Sequence, residues 1–223
     1  METYYRNIGL YFLILVVFIL LGFYYPYFSL FPSFKSVTTV VHVHTITLLL
    51  WTFILIAQPI LIRFHKYKAH KIIGRISYVL VPLVVLTCFA VMRQQYAENI
   101  SLKMTSAQSL KSLFTSFTGV IAILIYYLLA IFYVLKRNIA FHMRYMICLF
   151  LEFIPPTFGR TLGYWLDMRQ VLTHTIAVTV GALVLVTLIF ADKRRRLNFS
   201  PYVVALSINI FFLVSWFAIG HPL

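Results

Sequence analysis

The segment WTFILIAQPILIRFHKYKAHKIIGRISYVL, residues 51–80, joins two apolar runs through a short and strongly basic stretch. The two runs, residues 39–62 and 72–92, are long enough to cross a bilayer, since a helix needs about 20 apolar residues to span the hydrocarbon core. A basic stretch between two such runs is typical of a membrane hairpin whose charged end stays among the lipid headgroups. The segment therefore predicts two transmembrane helices joined by a tight turn.

Five further apolar runs occur along the chain, at residues 8–26, 107–135, 143–159, 171–191 and 201–220. Hydrophobic residues make up 62% of the sequence and charged residues 11%, which lies far from the composition of soluble domains. The runs are continuous and lack the period-two alternation of barrel strands, so helices are favoured. We predict an all-α polytopic membrane protein, a bundle of about seven transmembrane helices that forms a single domain over residues 1–223.

The net charge of +14 is distributed unevenly about these predicted spans. Thirteen of the 19 Lys and Arg residues fall on one side, and this alternation is the positive-inside pattern. It places the N-terminus in the cytoplasm and the C-terminus outside. The same pattern predicts contact with anionic lipid headgroups and argues against nucleic-acid binding. The thirteen are Arg6, Arg63, Lys66, Lys68, Lys71, Arg75, Lys136, Arg137, Arg144, Lys193, Arg194, Arg195 and Arg196.

Glu152 is the one acid deep inside a predicted span, and Pro155 and Pro156 follow it closely. Prolines at these positions must interrupt the helix, and an ionisable group in a membrane is costly unless it has a function or a partner. One interpretation is a proton-handling, catalytic or ligand-binding carboxyl beside a helix break. The other is a neutral Glu152 that is hydrogen-bonded to a neighbouring helix through Asn209 or Gln58.

The histidines suggest a second kind of site. His44 and His174 lie near the outer ends of their predicted spans and could form a ligand pair for haem or a metal ion. His70 and His142 begin spans on the cytoplasmic side and form a weaker candidate pair. The alternative is that all four serve packing and lipid contacts. A zinc-dependent hydrolase site on the outer face is a weaker possibility, and its ligands would be either His42 or His44 together with Asp167, His174 and His221.

Two further predictions concern structure. The spacing of Thr105 and Gln108 in TSAQ is that of a capping box, so a helix is expected to begin there. Five other polar residues lie at or near the ends of predicted spans, where long side chains can reach the headgroups or support packing. We assign them lipid-binding or structural roles: Arg63, Arg75, Tyr78, Arg144 and Arg160.

Two signatures resemble a known bacterial family. Residues 44–80 contain His44, Gln58 and Arg63 followed by HKxxGRxxY, and residues 141–160, FHMRYMICLFLEFIPPTFGR, contain HxxYM and a later Arg160. This combination is similar to the predicted membrane proteins called domain of unknown function 2306. The resemblance implies a helical protein of the bacterial cytoplasmic (inner) membrane, with a motif completed by His70, Gly74, Arg75, Tyr78, His142 and Met146. A more distant similarity links the chain to b-type cytochrome bundles.

Two functions follow from these features. The first is a redox or haem-associated protein, concerned with electron transfer or an oxidase, in which Glu152 handles protons or faces a quinone. The second is a non-enzymatic accessory subunit or transporter-like protein that binds a small ligand, a lipid or other membrane subunits near Glu152.

Overall fold

A computed structural model of the protein describes residues 3–219, and these residues are helical almost throughout. No strand occurs within them. Short 3-10 helices cover Thr3–Asn7 and Phe28–Leu30. The α-helices are α1 (Ile8–Tyr24), α2 (Thr39–Arg63), α3 (Tyr67–Ser101), α4 (Ser106–Leu135), α5 (Ile139–Leu151), α6 (Ile154–Leu166), α7 (Gln170–Arg194) and α8 (Ser200–Ala218).

Seven helical segments within the described residues are long and apolar enough to cross a membrane. The fifth segment, Ile139–Leu166, contains both α5 and α6. The seven segments begin at Tyr4, Thr39, Tyr67, Gln108, Ile139, Gln170 and Ser200. This confirms the prediction of an all-α protein with about seven transmembrane helices. The chain is a multi-pass membrane protein.

The chain divides into two compact units. Unit 1 comprises Met1–Ile14, Phe34–Val120 and Ile219–Leu223, and unit 2 comprises Leu15–Ser33 and Ile121–Ala218. Helices α1 and α4 each begin in unit 1 and end in unit 2. The prediction of a single domain over residues 1–223 stays a prediction.

Unit 1 is built around the antiparallel pair α2 and α3. Both helices contribute fully buried side chains to the core of this unit: Trp51 of α2 and Val84 of α3 have 0% exposure. The start of α1 lies against the end of α2, where a side chain on Gly9 would come within 2.9 Å of Ile60 Cγ1. The hairpin predicted from residues 51–80 is therefore present, and its turn consists of Phe64, His65 and Lys66 alone.

Unit 2 packs α7 against both α6 and α8, and α5 against α8. The end of α1 lies along α6, where Trp165 Nε1 donates to the Leu21 carbonyl oxygen at 3.1 Å. A Cβ atom on Gly22 would overlap the carbonyl oxygen of Thr157, so α1 and α6 approach one another as closely as their backbones allow. Thr157 itself is completely buried.

Helix α3 is much longer than the sequence predicts. The expected span ends at residue 92, whereas α3 runs to Ser101 and has 35 residues. The additional residues are polar but are held by specific hydrogen bonds: Gln94 Nε2 donates to Glu98 Oε1 at 2.9 Å, and Asn99 Nδ2 donates to Ser112 Oγ at 2.7 Å. Most of the segment between the predicted spans 72–92 and 107–135 is thus helical, which composition alone does not indicate.

The capping box before α4 is confirmed. The Thr105 backbone N–H donates to Gln108 Oε1 at 2.9 Å, and the Gln108 N–H donates to Thr105 Oγ1 at 3.3 Å. These two reciprocal bonds satisfy amides that a helix N-terminus leaves without partners. Helix α4 accordingly starts at Ser106.

Asp167, which follows α6, has left-handed backbone. Four other helices end in a turn in which a left-handed residue is followed by an N–H that donates to a carbonyl oxygen five residues earlier. In α2, for example, His65 has φ 58°, and the Lys66 N–H donates to the Leu61 carbonyl oxygen at 2.8 Å. This is the Schellman arrangement, which most often places glycine at the left-handed position. Here that position is basic in every case: His65, Lys103, Arg137 and Arg196.

Candidate ligand site at Glu152

Glu152 lies at the interruption of the fifth membrane segment. Helix α5 ends at Leu151, Glu152 is its C-terminal cap residue, and α6 begins at Ile154. The break predicted from the two prolines is therefore confirmed. Pro155 falls in the first turn of α6, the part of a helix that tolerates proline best.

The prolines determine which backbone groups the break exposes. In a continuous helix the carbonyl oxygens of Leu151 and Glu152 would accept from the amides of residues 155 and 156. Both of these residues are prolines and have no N–H to donate. The same absence removes two of the amides that the start of α6 would otherwise present. The interruption is consequently rich in carbonyl oxygens and poor in N–H groups.

Two titratable side chains of unit 2 are close enough to Glu152 to interact with its carboxyl group electrostatically. They are the Tyr126 hydroxyl and the Cys148 thiol, which sits one turn earlier on α5. The Tyr126 hydroxyl donates to the Ala205 carbonyl oxygen at 3.3 Å, and Cys148 Sγ lies 3.9 Å from the Pro201 carbonyl oxygen. Both side chains are almost completely buried, whereas Glu152 is partly buried.

Within residues 3–219, no hydrogen bond or ion pair joins the Glu152 carboxyl group to another side chain. The buried Arg144, on the same helix, is instead bound to Asp192. Asn209 does not provide the predicted hydrogen bond, since its buried Oδ1 has no partner among the described residues. Gln58 uses its amide elsewhere, donating from Nε2 to the His70 carbonyl oxygen at 3.3 Å. Within unit 2, Glu152 is therefore not hydrogen-bonded to Asn209, whereas a bond to Gln58, which belongs to unit 1, stays a prediction.

Arg160 lies in the same membrane segment but forms no ion pair with Glu152. Its Nη1 donates to the Pro156 carbonyl oxygen at 3.0 Å, and its guanidinium carbon lies 4.8 Å from the centre of the Phe23 ring. The arginine thus connects α6 to the end of α1. Its sequence assignment, a lipid-binding or structural role, stays a prediction.

The sequence does not predict the buried ion pair of Arg144 and Asp192 in unit 2. Arg144 Nε donates to Asp192 Oδ2 at 2.7 Å, and both side chains have 0% exposure. The sequence predicts a lipid-binding or structural role for Arg144 and gives no partner for it. One signal was present in the sequence, an acid at the start of the basic run 193–196, but its partner is 48 residues away.

Each of the four candidate histidines has neighbours within its own unit. In unit 1, His44 Nδ1 lies 3.3 Å from Thr87 Oγ1, and the His70 carbonyl oxygen accepts from Gln58. In unit 2, the His174 ring packs on Trp216 with centroids 4.6 Å apart, and His142 Nδ1 donates to the Ala130 carbonyl oxygen at 2.9 Å. Each predicted pair draws one histidine from each unit, so both pairs stay predictions.

Among the described residues, no group of three or more His, Cys, Asp or Glu side chains could hold a metal ion. His221, one member of the predicted zinc set, lies outside these residues. The motif of the resemblance is partly brought together in unit 1, because Gln58 of α2 lies beside both His70 and Gly74 of α3.

Comparison with known proteins finds no match to this chain among protein-family models, curated proteins or solved structures. The resemblance to domain of unknown function 2306 therefore stays a prediction.

Proposed function

We propose that this multi-pass membrane protein has a transporter-like function and binds a proton or a monovalent cation at Glu152. The observation that carries the proposal is a carboxyl group without a cationic partner at a break within a membrane segment. Ionisable groups inside membrane segments are costly, and they commonly mark proton or ion pathways. The proposal places function in unit 2.

The chemistry of the break favours a cation over an anion. Two carbonyl oxygens, those of Leu151 and Glu152, lack their usual amide donors beside the carboxyl group. The C-terminal end of α5 adds the negative end of a helix dipole. Interrupted transporter helices use the same groups, unwound carbonyls and helix C-termini, to coordinate sodium ions or protons.

We also propose the bacterial cytoplasmic membrane as the location, with the N-terminus inside. The turns at residues 64–66 and 136–138, and the end of α7 at Lys193 and Arg194, hold much of the basic charge. All three lie on one side in a seven-span topology, which supports this orientation. Cysteine labelling of Asn138→Cys from inside and Ser33→Cys from outside tests it in intact cells.

The functional proposal is tested by ligand-dependent stability in detergent. Sodium or potassium ions, or a change in pH, should shift the melting temperature of the native protein, since a ligand that binds the folded state stabilises it. Glu152→Gln should abolish the response to sodium or potassium ions and reduce the response to pH. Glu98→Gln is the control, because Glu98 is an exposed acid at the end of α3, beyond Arg93, and already accepts from Gln94 at 2.9 Å.

An identical response of native protein and Glu152→Gln would refute the proposal. Infrared difference spectra separate the two ligands: a carboxylic-acid band that is lost in Glu152→Gln indicates a proton, and an ion-dependent carboxylate band indicates a metal cation. A quinone that co-purifies with the native protein and is lost from Glu152→Gln would favour the redox alternative.

A second proposal is the redox or haem-associated function, and His142 provides its support. Because a carbonyl oxygen can only accept, His142 Nδ1 must carry the proton in its 2.9 Å bond to Ala130. The lone pair of the neutral ring then lies on Nε2, the arrangement found in histidines that bind metals. A reduced-minus-oxidised absorbance spectrum tests this proposal. A haem band that depends on His142, His70, His44 or His174 would support it, and a colourless protein would refute it.

A further inference from the structure

The motif HKxxGRxxY at the start of α3 has two distinct faces. Gly74 lies opposite Gln58 of α2, and Ser77 is buried, so these residues serve the hairpin. Lys71, Arg75 and Tyr78 are exposed instead. Their spacing of four and then three residues aligns them along one side of the helix.

Within the described chain, these three exposed side chains make no hydrogen bond, ion pair or ring contact with another residue. The residues that follow each of them are also exposed and strongly apolar. Ile72, Ile76 and Val79 have exposures of 53%, 52% and 74%. The face therefore combines two cations and a phenol with a continuous apolar surface.

The position of this face along the membrane follows from the charges of α3. Residues 76–92 contain no charged side chain and are bounded by Arg75 and Arg93. At 1.5 Å per residue the two arginines lie about 27 Å apart along the axis, close to the thickness of a hydrocarbon core. Arg75 thus lies at the level of the lipid phosphates, with Lys71 one turn further out and Tyr78 about one turn deeper.

We propose that Lys71, Arg75 and Tyr78 form a binding site for an anionic phospholipid. The guanidinium group of Arg75 presents paired donors to a phosphate, Lys71 supplies a second cation, and the Tyr78 hydroxyl donates from below. The acyl chains lie along Ile72, Ile76 and Val79. An acidic protein segment fits less well, because this apolar surface would then face a polar partner.

Native mass spectrometry of the detergent-purified protein tests the site by titration with phosphatidylglycerol and phosphatidylcholine of identical acyl chains. The native protein should retain phosphatidylglycerol preferentially. The double variant Lys71→Gln/Arg75→Gln should lower its affinity about thirtyfold, since each surface cation contributes about fivefold to binding of anionic lipid. The variant with charge retained, Lys71→Arg/Arg75→Lys, should preserve most of the affinity and shows whether the helix tolerates change here.

The matched control is Lys136→Gln/Arg137→Gln, which removes the same charge from exposed positions in unit 2. It should leave the affinity for phosphatidylglycerol within about twofold of native, since neither residue belongs to the proposed site and exposed charges are screened by salt. An equal loss in both double variants would overturn the proposal in favour of general surface charge. Displacement of the lipid by inorganic phosphate at the same concentration would also overturn it, since the site would then select a free anion.

Discussion

Arg144 Nε and Asp192 Oδ2 lie 2.7 Å apart, and neither side chain is exposed at all. Arg144 also donates from Nη1 to the Ala140 carbonyl oxygen at 3.1 Å, so the guanidinium group links α5 to the end of α7. A buried pair contributes little compared with apolar residues of the same volume, but the loss of one partner leaves a charge without compensation. The pair should therefore act as a specificity element for the packing of unit 2.

Replacement of one partner should be far more damaging than replacement of both. Asp192→Asn should lower the free energy of unfolding by about 3–5 kcal/mol, because Arg144 stays buried and charged. The double replacement Arg144→Met/Asp192→Leu should recover most of this loss. Equilibrium unfolding in detergent measures both values. Asp167→Asn, at an exposed acid, is the control and should change little; an equally small effect of Asp192→Asn would contradict the argument.

Glu152 should respond in the opposite way, because no partner depends on it. Glu152→Met removes a desolvated carboxyl group from a membrane segment, so we expect unchanged stability or a gain of about 1 kcal/mol. The same unfolding assay measures this change beside Asp192→Asn. A large loss of stability on Glu152→Met would show that the carboxyl group is structural and would weaken the proposed function.

Gly22 should be intolerant of any side chain. Gly22→Ala places a methyl group against the backbone carbonyl of Thr157, which cannot rotate away, so we expect a loss of about 1–3 kcal/mol. Gly119→Ala is the matched control, since nothing lies within 4 Å of a Cβ atom there. Its gain in helix propensity, about 1 kcal/mol, should appear as a higher melting temperature. Equal effects of the two substitutions would contradict the close approach of α1 and α6.

Arg137 has a left-handed backbone with φ 58°, and this conformation should be strained in any residue with a Cβ atom. Arg137→Gly should be more stable than Arg137→Ala by about 1 kcal/mol, because both variants lose the charge but only alanine retains a Cβ atom. Thermal unfolding of the two variants compares them directly. Equal melting temperatures would mean that the turn relaxes without cost.

The number and type of the membrane segments could be predicted because continuous apolar runs and basic turns are local signals. The capping box at Thr105 and the break after Glu152 were predictable for the same reason: a few neighbouring residues determine each of them. The extension of α3 to Ser101 was not, since it depends on the contact of Asn99 with Ser112 across a turn. Polar composition looks the same in a connection and in a helix that projects beyond the bilayer.

The candidate site was predictable in its centre but not in its surroundings. Glu152 stands out in the sequence as an acid in an apolar segment beside two prolines. The packing of α4, α5, α7 and α8 determines the other contacts. It pairs Asp192 with Arg144 and brings Tyr126 and Cys148 near Glu152. Contacts between residues that are far apart in the chain produce no periodic pattern, so a single sequence does not indicate them.

The basic turn residues connect helix termination to the insertion of the chain during synthesis. In the proposed orientation, Arg137 and Arg196 end helices on the cytoplasmic side, where cationic charge retains a loop. A glycine at Arg137 or Arg196 would relax the backbone and at the same time weaken the signal that orients the hairpin. Lys103 ends α3 on the opposite side, so a glycine there would both relax the backbone and strengthen the signal that orients the hairpin. Arg137 and Arg196 each end a helix and also hold the adjoining loop on the cytoplasmic side. The conformational strain at these two residues is the consequence of this double role.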